Sequence, residues 1–225
     1  SSWRESYKSG TFSLGADMEF NNLWELKLDT KATPTRYSDT ATRGGPIMQN
    51  PGSYSLGIEL GTDRRNRLSF RPGLEYENGQ KGGYKWETEM EINFRPSPSW
   101  EIEISPNFQW RQDSAQYVTR TDALSYTPTF GRRYIFSDLK RRSVSLETRL
   151  NVAFTPNLTL QLFAQPLLSS GDYLNYKQLL QPKSFDFDLL DEGTRSFIDP
   201  ADGNRHLDFD GDGMSDFSFS DRDVN

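Results

Sequence analysis

Apolar and polar side chains alternate with a period of two along most of the chain up to residue 168. The clearest example is the stretch 84–112, which reads YKWETEMEINFRP, then SPS, then WEIEISPNFQWRQ. Successive side chains of a strand point to opposite faces, so this stretch predicts two long strands with one apolar and one charged face. The prolines and serines at 96–99 predict a tight turn between them.

The charges of this hairpin predict its register. Both strands must present their apolar side chains on one face, because a slip by one residue exchanges the two faces. One allowed register places Arg95 opposite Glu101, whereas the alternative sets two glutamates against each other. Opposite charges across two strands contribute roughly 0.2–1 kcal/mol, and like charges are unfavourable. We therefore predict the first register, which also places Trp86 opposite Trp110.

Similar alternation predicts further strands along the chain. They lie near residues 11–20, 24–28, 54–60, 68–77, 117–119, 134–136, 144–154 and 158–168. Short turns are predicted at residues 21–22, 62–67, 138–142 and 155–157. Residues 31–52 are predicted to form a long loop, and the alternation fades after Ser169. Pro72 and Pro106 interrupt predicted strands, and we expect a bulge or a local break at each.

The predicted strands are longer than those of most soluble proteins. About 12 residues at roughly 3.3 Å each span about 40 Å, whereas an ordinary strand has about 5–6 residues. Membrane-spanning strands need about 9–11 residues and carry aromatic girdles at both interfaces. Trp86 and Trp110 lie near one end of the hairpin, and Phe94 and Trp100 lie near the other. A large secreted sandwich or solenoid with a solvated charged face is the alternative.

Composition narrows the function classes for these 225 residues. There is no cysteine, which excludes disulfides, a thiol nucleophile and a zinc–thiolate site. The net charge of -6 and the pI near 5.0 argue against a nucleic-acid partner. A mean hydropathy of -0.78 excludes a helical membrane protein but not a barrel, in which only alternate residues face lipid. No signal peptide is visible at Ser1, so a membrane or secreted location requires a processed or truncated N-terminus.

The strongest chemical motif lies in the acidic segment near the end of the sequence. Its aspartates alternate, a glycine follows at the sixth position and a carboxylate at the ninth, as in the first part of an EF-hand-like calcium loop. The predicted Ca²⁺ ligands are Asp208, Asp210, Asp212, the Met214 carbonyl and Asp216. Position twelve is Phe219, so another ligand, such as Asp221 or water, is needed and weak affinity is expected. A solvated acidic loop is the alternative.

Other candidate chemistry is weaker. The five glutamates of the hairpin could offer a glycosidase pair, because such a pair needs carboxylates about 5–9 Å apart. They are Glu87, Glu89, Glu91, Glu101 and Glu103. Lys85, Arg95, Arg111 and Arg149 are available for salt bridges, so we interpret the stripe as a polar lumen wall without catalysis. His206 is the only histidine and is interpreted as a loop residue. Tyr173 and Tyr176 could stack on sugars, although loop packing is the simpler interpretation.

One segment carries a resemblance to a known family. Residues 145–166, SLETRLNVAFTPNLTLQLFAQP, followed by SSGDYLNYKQL, resemble a family of uncharacterised bacterial outer-membrane barrel proteins. In that family a domain similar to family 9 carbohydrate-binding modules commonly precedes the barrel. The resemblance implies a location in a Gram-negative outer membrane and supplies no catalytic residues. The carbohydrate-binding-like domain and the family's later strands are missing here, so we expect the chain to be an interior piece of a larger protein.

The sequence therefore predicts an all-β protein, an antiparallel transmembrane β-barrel or part of a larger one. We expect about ten strands, with short turns at one rim and long loops at the other. Residues 1–180 would form the barrel and 181–225 an acidic loop. The predicted function is binding or transport, associated with glycans, with lipid and edge-covering subunits as partners. The alternatives are a secreted calcium-binding sandwich or adhesion module and, less favoured, a carboxylate glycosidase.

Overall fold

A computed structural model describes residues 2–8 and 10–221, so residues 222–225 of the predicted acidic segment lie outside the described residues. Strands form most of this part of the chain, and the strands of each sheet pair antiparallel. The all-β, antiparallel prediction is confirmed. Among the described residues, no helix is long and apolar enough to cross a membrane.

Within residues 2–8 and 10–221, sixteen strands and one short 3₁₀ helix, Thr127–Thr129, follow one another. The strands are β1 (Ser2–Lys8), β2 (Thr11–Glu19), β3 (Glu25–Thr33), β4 (Arg36–Ser38), β5 (Met48–Asn50), β6 (Ser53–Gly61), β7 (Leu68–Gly79), β8 (Tyr84–Ser97), β9 (Trp100–Thr121), β10 (Arg133–Thr155), β11 (Leu158–Ala164), β12 (Leu167–Leu179), β13 (Phe187–Leu189), β14 (Ser196–Ile198), β15 (Asn204–Leu207) and β16 (Phe217–Ser220).

Eleven of these strands form one sheet. Its order is β1-β2-β3-β6-β7-β8-β9-β10-β12-β13, and β11 pairs with the end of β10 that β12 leaves free. No pairing within residues 2–8 and 10–221 joins β1 to β13, so the sheet is open in the described part of the chain. Two smaller sheets, β4-β5 and β14-β15-β16, complete the fold.

The register predicted for the central hairpin is confirmed. Trp86 pairs with Trp110, and the Arg95 Nη2 to Glu101 Oε1 distance is 2.6 Å. A register shift after Phe94 lets the chain reverse over a short turn at residues 98–99. Charge pairing and the requirement that both strands bury or expose the same face therefore select one alignment.

Two boundaries predicted from the sequence are wrong. The segment 138–142, predicted as a turn, lies inside β10, and the last long strand runs to Leu179 instead of ending near 168. The charges of 138–142 do not end the strand because both neighbouring strands pair with it there. The Asp138 carboxylate also has a partner within the sheet, since it accepts a 2.6 Å hydrogen bond from Lys177 Nζ. The predicted loop 31–52 likewise contains the β4-β5 hairpin.

The two prolines each interrupt pairing on one side of their strand. Pro72 pairs with Met90 of β8 without a register shift, while the ladder to β6 ends at Gly73. Pro106 pairs with Leu146 of β10, while its ladder to β8 omits two pairs. Of the two predicted alternatives, the local break is observed and the bulge is not. A proline lacks one backbone N–H, so it loses the hydrogen bond to only one of the two neighbouring strands.

The loops sort to two rims. Short turns at residues 20–24, 62–67, 98–99 and 156–157 lie at one rim of the large sheet. The longer connections 34–52 and 122–132 lie at the opposite rim, and only the first of them is predicted from the sequence. The β7–β8 connection at this rim is shorter, with residues 80–83 only.

The buried core lies at the long-loop rim, where β9, β10 and β12 extend beyond their neighbours. One cluster contains Ile135 and Tyr176 with Leu190, Leu207 and Phe209 from the C-terminal region. The second cluster lies on the other face of the same strands and contains Tyr134, Phe136 and Leu179 with Met48. Phe185 and Phe187 pack against it. Because neighbouring strand residues point to opposite faces, the extended strands are covered on both sides.

Candidate functional site

The large sheet carries an apolar row that runs straight across eight strands. Cross-strand partners follow one another without a break from β2 to β12. The row consists of Ala16, Leu28, Ile58, Leu74, Thr88, Phe108, Val144 and Leu168. Parallel rows on either side carry further apolar residues, and we call this surface the apolar face.

No described element covers the apolar face. Leu74 is 38% exposed, Phe108 is 44% exposed and Leu168 is 76% exposed. Isolated exposed apolar residues are normal on soluble proteins, but contiguous patches larger than a few hundred Å² are rare and mark binding or membrane surfaces. The apolar face is therefore a continuous exposed apolar surface within the described residues.

Aromatic side chains lie at both ends of the apolar face. At the long-loop end they are Tyr54, Tyr76, Tyr84, Trp86 and Trp110. At the short-turn end they are Phe20, Trp24, Phe94, Trp100 and Phe154. Tyr76 and Trp86 are in ring contact, with centroids 4.3 Å apart.

The opposite face carries ion pairs at regular intervals. They include Lys27–Glu59 at 2.9 Å, Arg71–Glu25 at 3.0 Å, Lys85–Glu75 at 2.9 Å and Arg149–Glu147 at 2.7 Å. A cavity of about 360 Å³ lies on this face between Asp29, Lys31, Glu59, Glu75, Glu87 and Glu89. Glu87 accepts bonds from Lys85, Asn107 and Gln109 at 3.0, 2.9 and 3.2 Å. The salt bridges that the sequence predicted for this stripe are thus present.

The predicted calcium loop brings three of its carboxylates together. Oxygens of Asp208, Asp210 and Asp216 all lie within 4.8 Å of one another. The Asp212 carboxylate is directed elsewhere, since its Oδ1 accepts a 2.8 Å bond from the Met214 N–H. The Met214 side chain is 69% exposed. Carboxylate oxygens at this spacing suit Ca²⁺, which takes six to eight oxygen ligands.

Asp208 organises the backbone of this loop. It is 2% exposed, and its two oxygens accept bonds from the N–H groups of Gly211 at 2.6 Å and Gly213 at 2.9 Å. Both glycines have positive φ, which side chains disfavour. Burial raises the pKa of Asp208, but the N–H bonds of Gly213 and Gly211 outweigh it and hold the pKa below its ordinary value. The loop therefore keeps Asp208 ionised.

Two arginines hold together the C-terminal layer, residues 187–221, and Arg205 also contacts the long strand β12. Arg195 forms a fork with Asp188, at 3.1 and 2.9 Å, and donates to the Phe209 carbonyl at 2.7 Å. Arg205 is 5% exposed, bonds to Glu192 at 2.7 Å and lies 4.5 Å from the Tyr176 ring centre. Sequence reasoning missed both arginines, because the strands of residues 187–221 have only three or four residues and are too short to show a period.

The remaining candidates change role in the structure. Phe219 packs against the core cluster, so position twelve supplies no ligand, and Asp221 pairs with Arg205 at 3.3 Å. His206 lies in β15 rather than in a loop, and its Nδ1 contacts Ser215 Oγ at 2.8 Å. Tyr176 is fully buried, so the prediction that it could stack on a sugar is wrong.

A family model matches residues 3–192, which is most of the chain, and is described as a domain of unknown function, DUF5916. The chain belongs to the DUF5916 family. No curated protein matches the chain, and no solved structure does. The resemblance to an uncharacterised family is confirmed at this level.

The DUF5916 match separates the two candidate sites. It includes every strand of the large sheet, and therefore the apolar face and the charged face. The calcium-like loop at 208–216 lies beyond the matched range. The matched part of the described chain is thus dominated by the large two-faced sheet, and the acidic loop belongs to a layer at its long-loop rim.

Proposed function

We propose that this DUF5916 domain is part of an outer-membrane β-barrel of the binding or transport class. The observation that carries the proposal is the exposed apolar face. The opposite side of the same strands carries the ion pairs. Lipid would contact the apolar face, and the charged face would line a hydrated interior. A solvated sandwich has no reason to leave one entire face apolar and exposed.

The dimensions of the apolar face support a membrane rather than a protein partner. Trp100 and Trp110 lie ten residues apart on β9, which corresponds to about 33 Å along the strand. A strand tilted by roughly 40° would then span about 25 Å, the height of the apolar band of outer-membrane barrels. The aromatic residues at both ends would lie at the two interfaces.

The rim asymmetry supports an orientation. Outer-membrane barrels have short periplasmic turns and longer extracellular loops. Residues 34–52 and the C-terminal layer would accordingly lie on the extracellular side. The open edges at β1 and at β11–β12 would pair with further strands of the same protein or of a subunit, because unpaired backbone groups are not tolerated in lipid.

The class of cargo rests on the family resemblance, which associates such barrels with carbohydrate-binding modules. The proposal includes no catalytic residue. Glu87 is held by a lysine and two amides, and Glu101 is held by Arg95 and Asn93, as expected of a structural wall.

Membrane fractionation of the full-length protein tests the proposal. Membranes are washed with carbonate and with urea, and gel migration is compared with and without boiling. Retention in the washed membranes, with faster migration before boiling, is the expected result for a folded barrel. Release into the wash as an ordinary soluble protein would refute the barrel and favour the secreted β-sandwich.

We also propose that the loop 208–216 binds Ca²⁺ with a structural role. Three converging carboxylates support this assignment, with Asp208 held ionised inside the loop. The Met214 carbonyl is the further candidate ligand of the motif, and Asp212 would have to turn away from the Met214 N–H to join it. The same loop would serve a secreted adhesion module, so calcium binding does not by itself distinguish the two locations.

A further inference from the structure

Two basic residues lie on the apolar face at its long-loop end. Arg142 is the cross-strand partner of Trp110, and Lys140 is the partner of Gln112, one pair nearer the rim. Both have the same parity as Val144, so they point to the apolar side of β10. Arg142 thus lies in the same cross-strand row as Trp86 and Trp110, and Lys140 lies in the row of Tyr84.

Both side chains are exposed and are free of acidic partners. None of the ion pairs formed by the described residues includes Lys140 or Arg142. Asp172 of β12 is nevertheless the cross-strand partner of Lys140. Ser170 lies across from Arg142. The neighbouring Arg111 is on the other face and pairs with Asp113 at 2.8 Å. Two basic residues and one acidic residue thus share this side of the strands, which leaves a net positive charge there.

The two basic residues share an open groove with aromatic rings. The groove has a volume of about 410 Å³ and lies between Tyr84, Trp86, Trp110, Lys140 and Arg142, with Arg111 and Arg141 at its floor. We call it the basic groove. Tryptophan and tyrosine prefer the depth of lipid headgroups, because their rings are apolar and their N–H or O–H groups are polar.

The opposite end of the same strands lacks this chemistry. On the apolar side, the short-turn ends of β8, β9 and β10 carry only uncharged residues. These are Met90, Ile92, Phe94, Trp100, Ile102, Ile104, Thr148, Leu150, Val152 and Phe154. On the apolar side of β8, β9 and β10, the positive charge thus lies only at the long-loop end.

We propose that the basic groove binds the phosphate headgroup of an anionic lipid whose acyl chains lie on the apolar face. This inference rests on the proposed membrane location. Arginine and lysine recognise phosphate through charge-assisted hydrogen bonds. The groove is continuous with the apolar face, so the ligand that fits both is a molecule with a phosphate and long acyl chains, rather than a soluble anion.

Fluorescence quenching in vesicles tests the proposal. Every tryptophan of the full-length protein except Trp86 and Trp110 is replaced by phenylalanine, including Trp3, Trp24 and Trp100 of this chain, so that the two remaining rings report on the groove. The protein is inserted into phosphatidylcholine vesicles that contain a minority of phosphatidylglycerol, with bromine on the acyl chains of one lipid or the other. We expect phosphatidylglycerol to be enriched about fivefold at the groove. The double variant K140Q/R142Q should abolish this enrichment.

The control variant removes two exposed arginines, Arg64 and Arg67, from the turn at the other rim as R64Q/R67Q. It makes the same change in net charge and should leave the enrichment unaltered. Equal enrichment in all three proteins, or equal loss in both variants, would overturn the basic groove as a lipid site. Failure of every form to insert would instead refute the membrane location. Insertion of K140Q/R142Q into pure phosphatidylcholine separates the two results.

Discussion

Individual residues decide how the C-terminal layer is held to the sheet. Arg205 pairs with Glu192 and contacts the Tyr176 ring of β12, whereas Asp188 accepts bonds from both Arg195 and Gln178 of β12. Charge-assisted bonds are roughly twice as strong as neutral ones and are directional. The attachment of the layer should therefore respond to pH and to single substitutions.

Acidification should loosen this attachment through Asp188. Burial raises the pKa of Asp188, but hydrogen bonds from Arg195 and Gln178 outweigh it and lower the pKa below the ordinary 3.8. A carboxyl group with a lowered pKa stabilises the fold above its ordinary pKa and loses this contribution as pH falls through the folded value. Proteolysis of residues 187–221 should therefore accelerate below about pH 4. The D188N variant should be cleaved faster at neutral pH and depend less on pH, and an unchanged profile would contradict the assignment.

Gly45 should tolerate no side chain, because a Cβ there would lie 2.2 Å from the Tyr134 ring. We expect G45A to force residues 41–48 away from the core at a cost of about 1–3 kcal/mol. The measurement is the rate of proteolytic cleavage within residues 34–52. G57A is the matched control, since its Cβ would meet Asp29 at an ordinary 3.8 Å. Equal cleavage of both variants would show that the contact is not tight.

At the scale of elements, the alternation of residues predicts the strands well wherever one face is apolar. The register of β8 and β9 follows from parity and from the charges, because it pairs Arg95 with Glu101 and keeps two glutamates from facing each other. Both prolines lie within their strands. Prediction fails in the extensions of β10 and β12 at 133–142 and 169–179. There both faces are covered or charged, so alternation is lost although the backbone pairing continues. The strands of the C-terminal layer are too short to show a period at all.

The apolar face gives an element-level prediction on β10. V144R places a charge in the middle of the apolar row and should destabilise the membrane-inserted protein by about 2–4 kcal/mol. S145R, one residue away, points to the charged face opposite Asn107 and should cost much less. Urea-dependent unfolding from vesicles measures both. If S145R were as harmful as V144R, the two faces would have been assigned the wrong way round.

At the scale of the whole molecule, the acidic loop is one of the places where an ion would stabilise the fold. Millimolar calcium affinity is typical of extracellular modules, so about 10 mM Ca²⁺ should add roughly 1–3 kcal/mol to the stability of the C-terminal layer. Chelation should reverse the effect, which thermal unfolding monitored with and without Ca²⁺ will measure. D210N should abolish it, whereas D186N, outside the loop, should not. Stabilisation that survives D210N would place the ion elsewhere.

The straight cross-strand rows have a further consequence for how this family tolerates changes in length. Deleting or inserting a single residue within a long strand would rotate every following side chain, as far as the next bulge, onto the wrong face. Changes of two residues would preserve parity, and changes in the rim connections would leave the rows untouched. Natural length variation should therefore concentrate in residues 34–52 and 122–132, and strands should lengthen or shorten in pairs of residues.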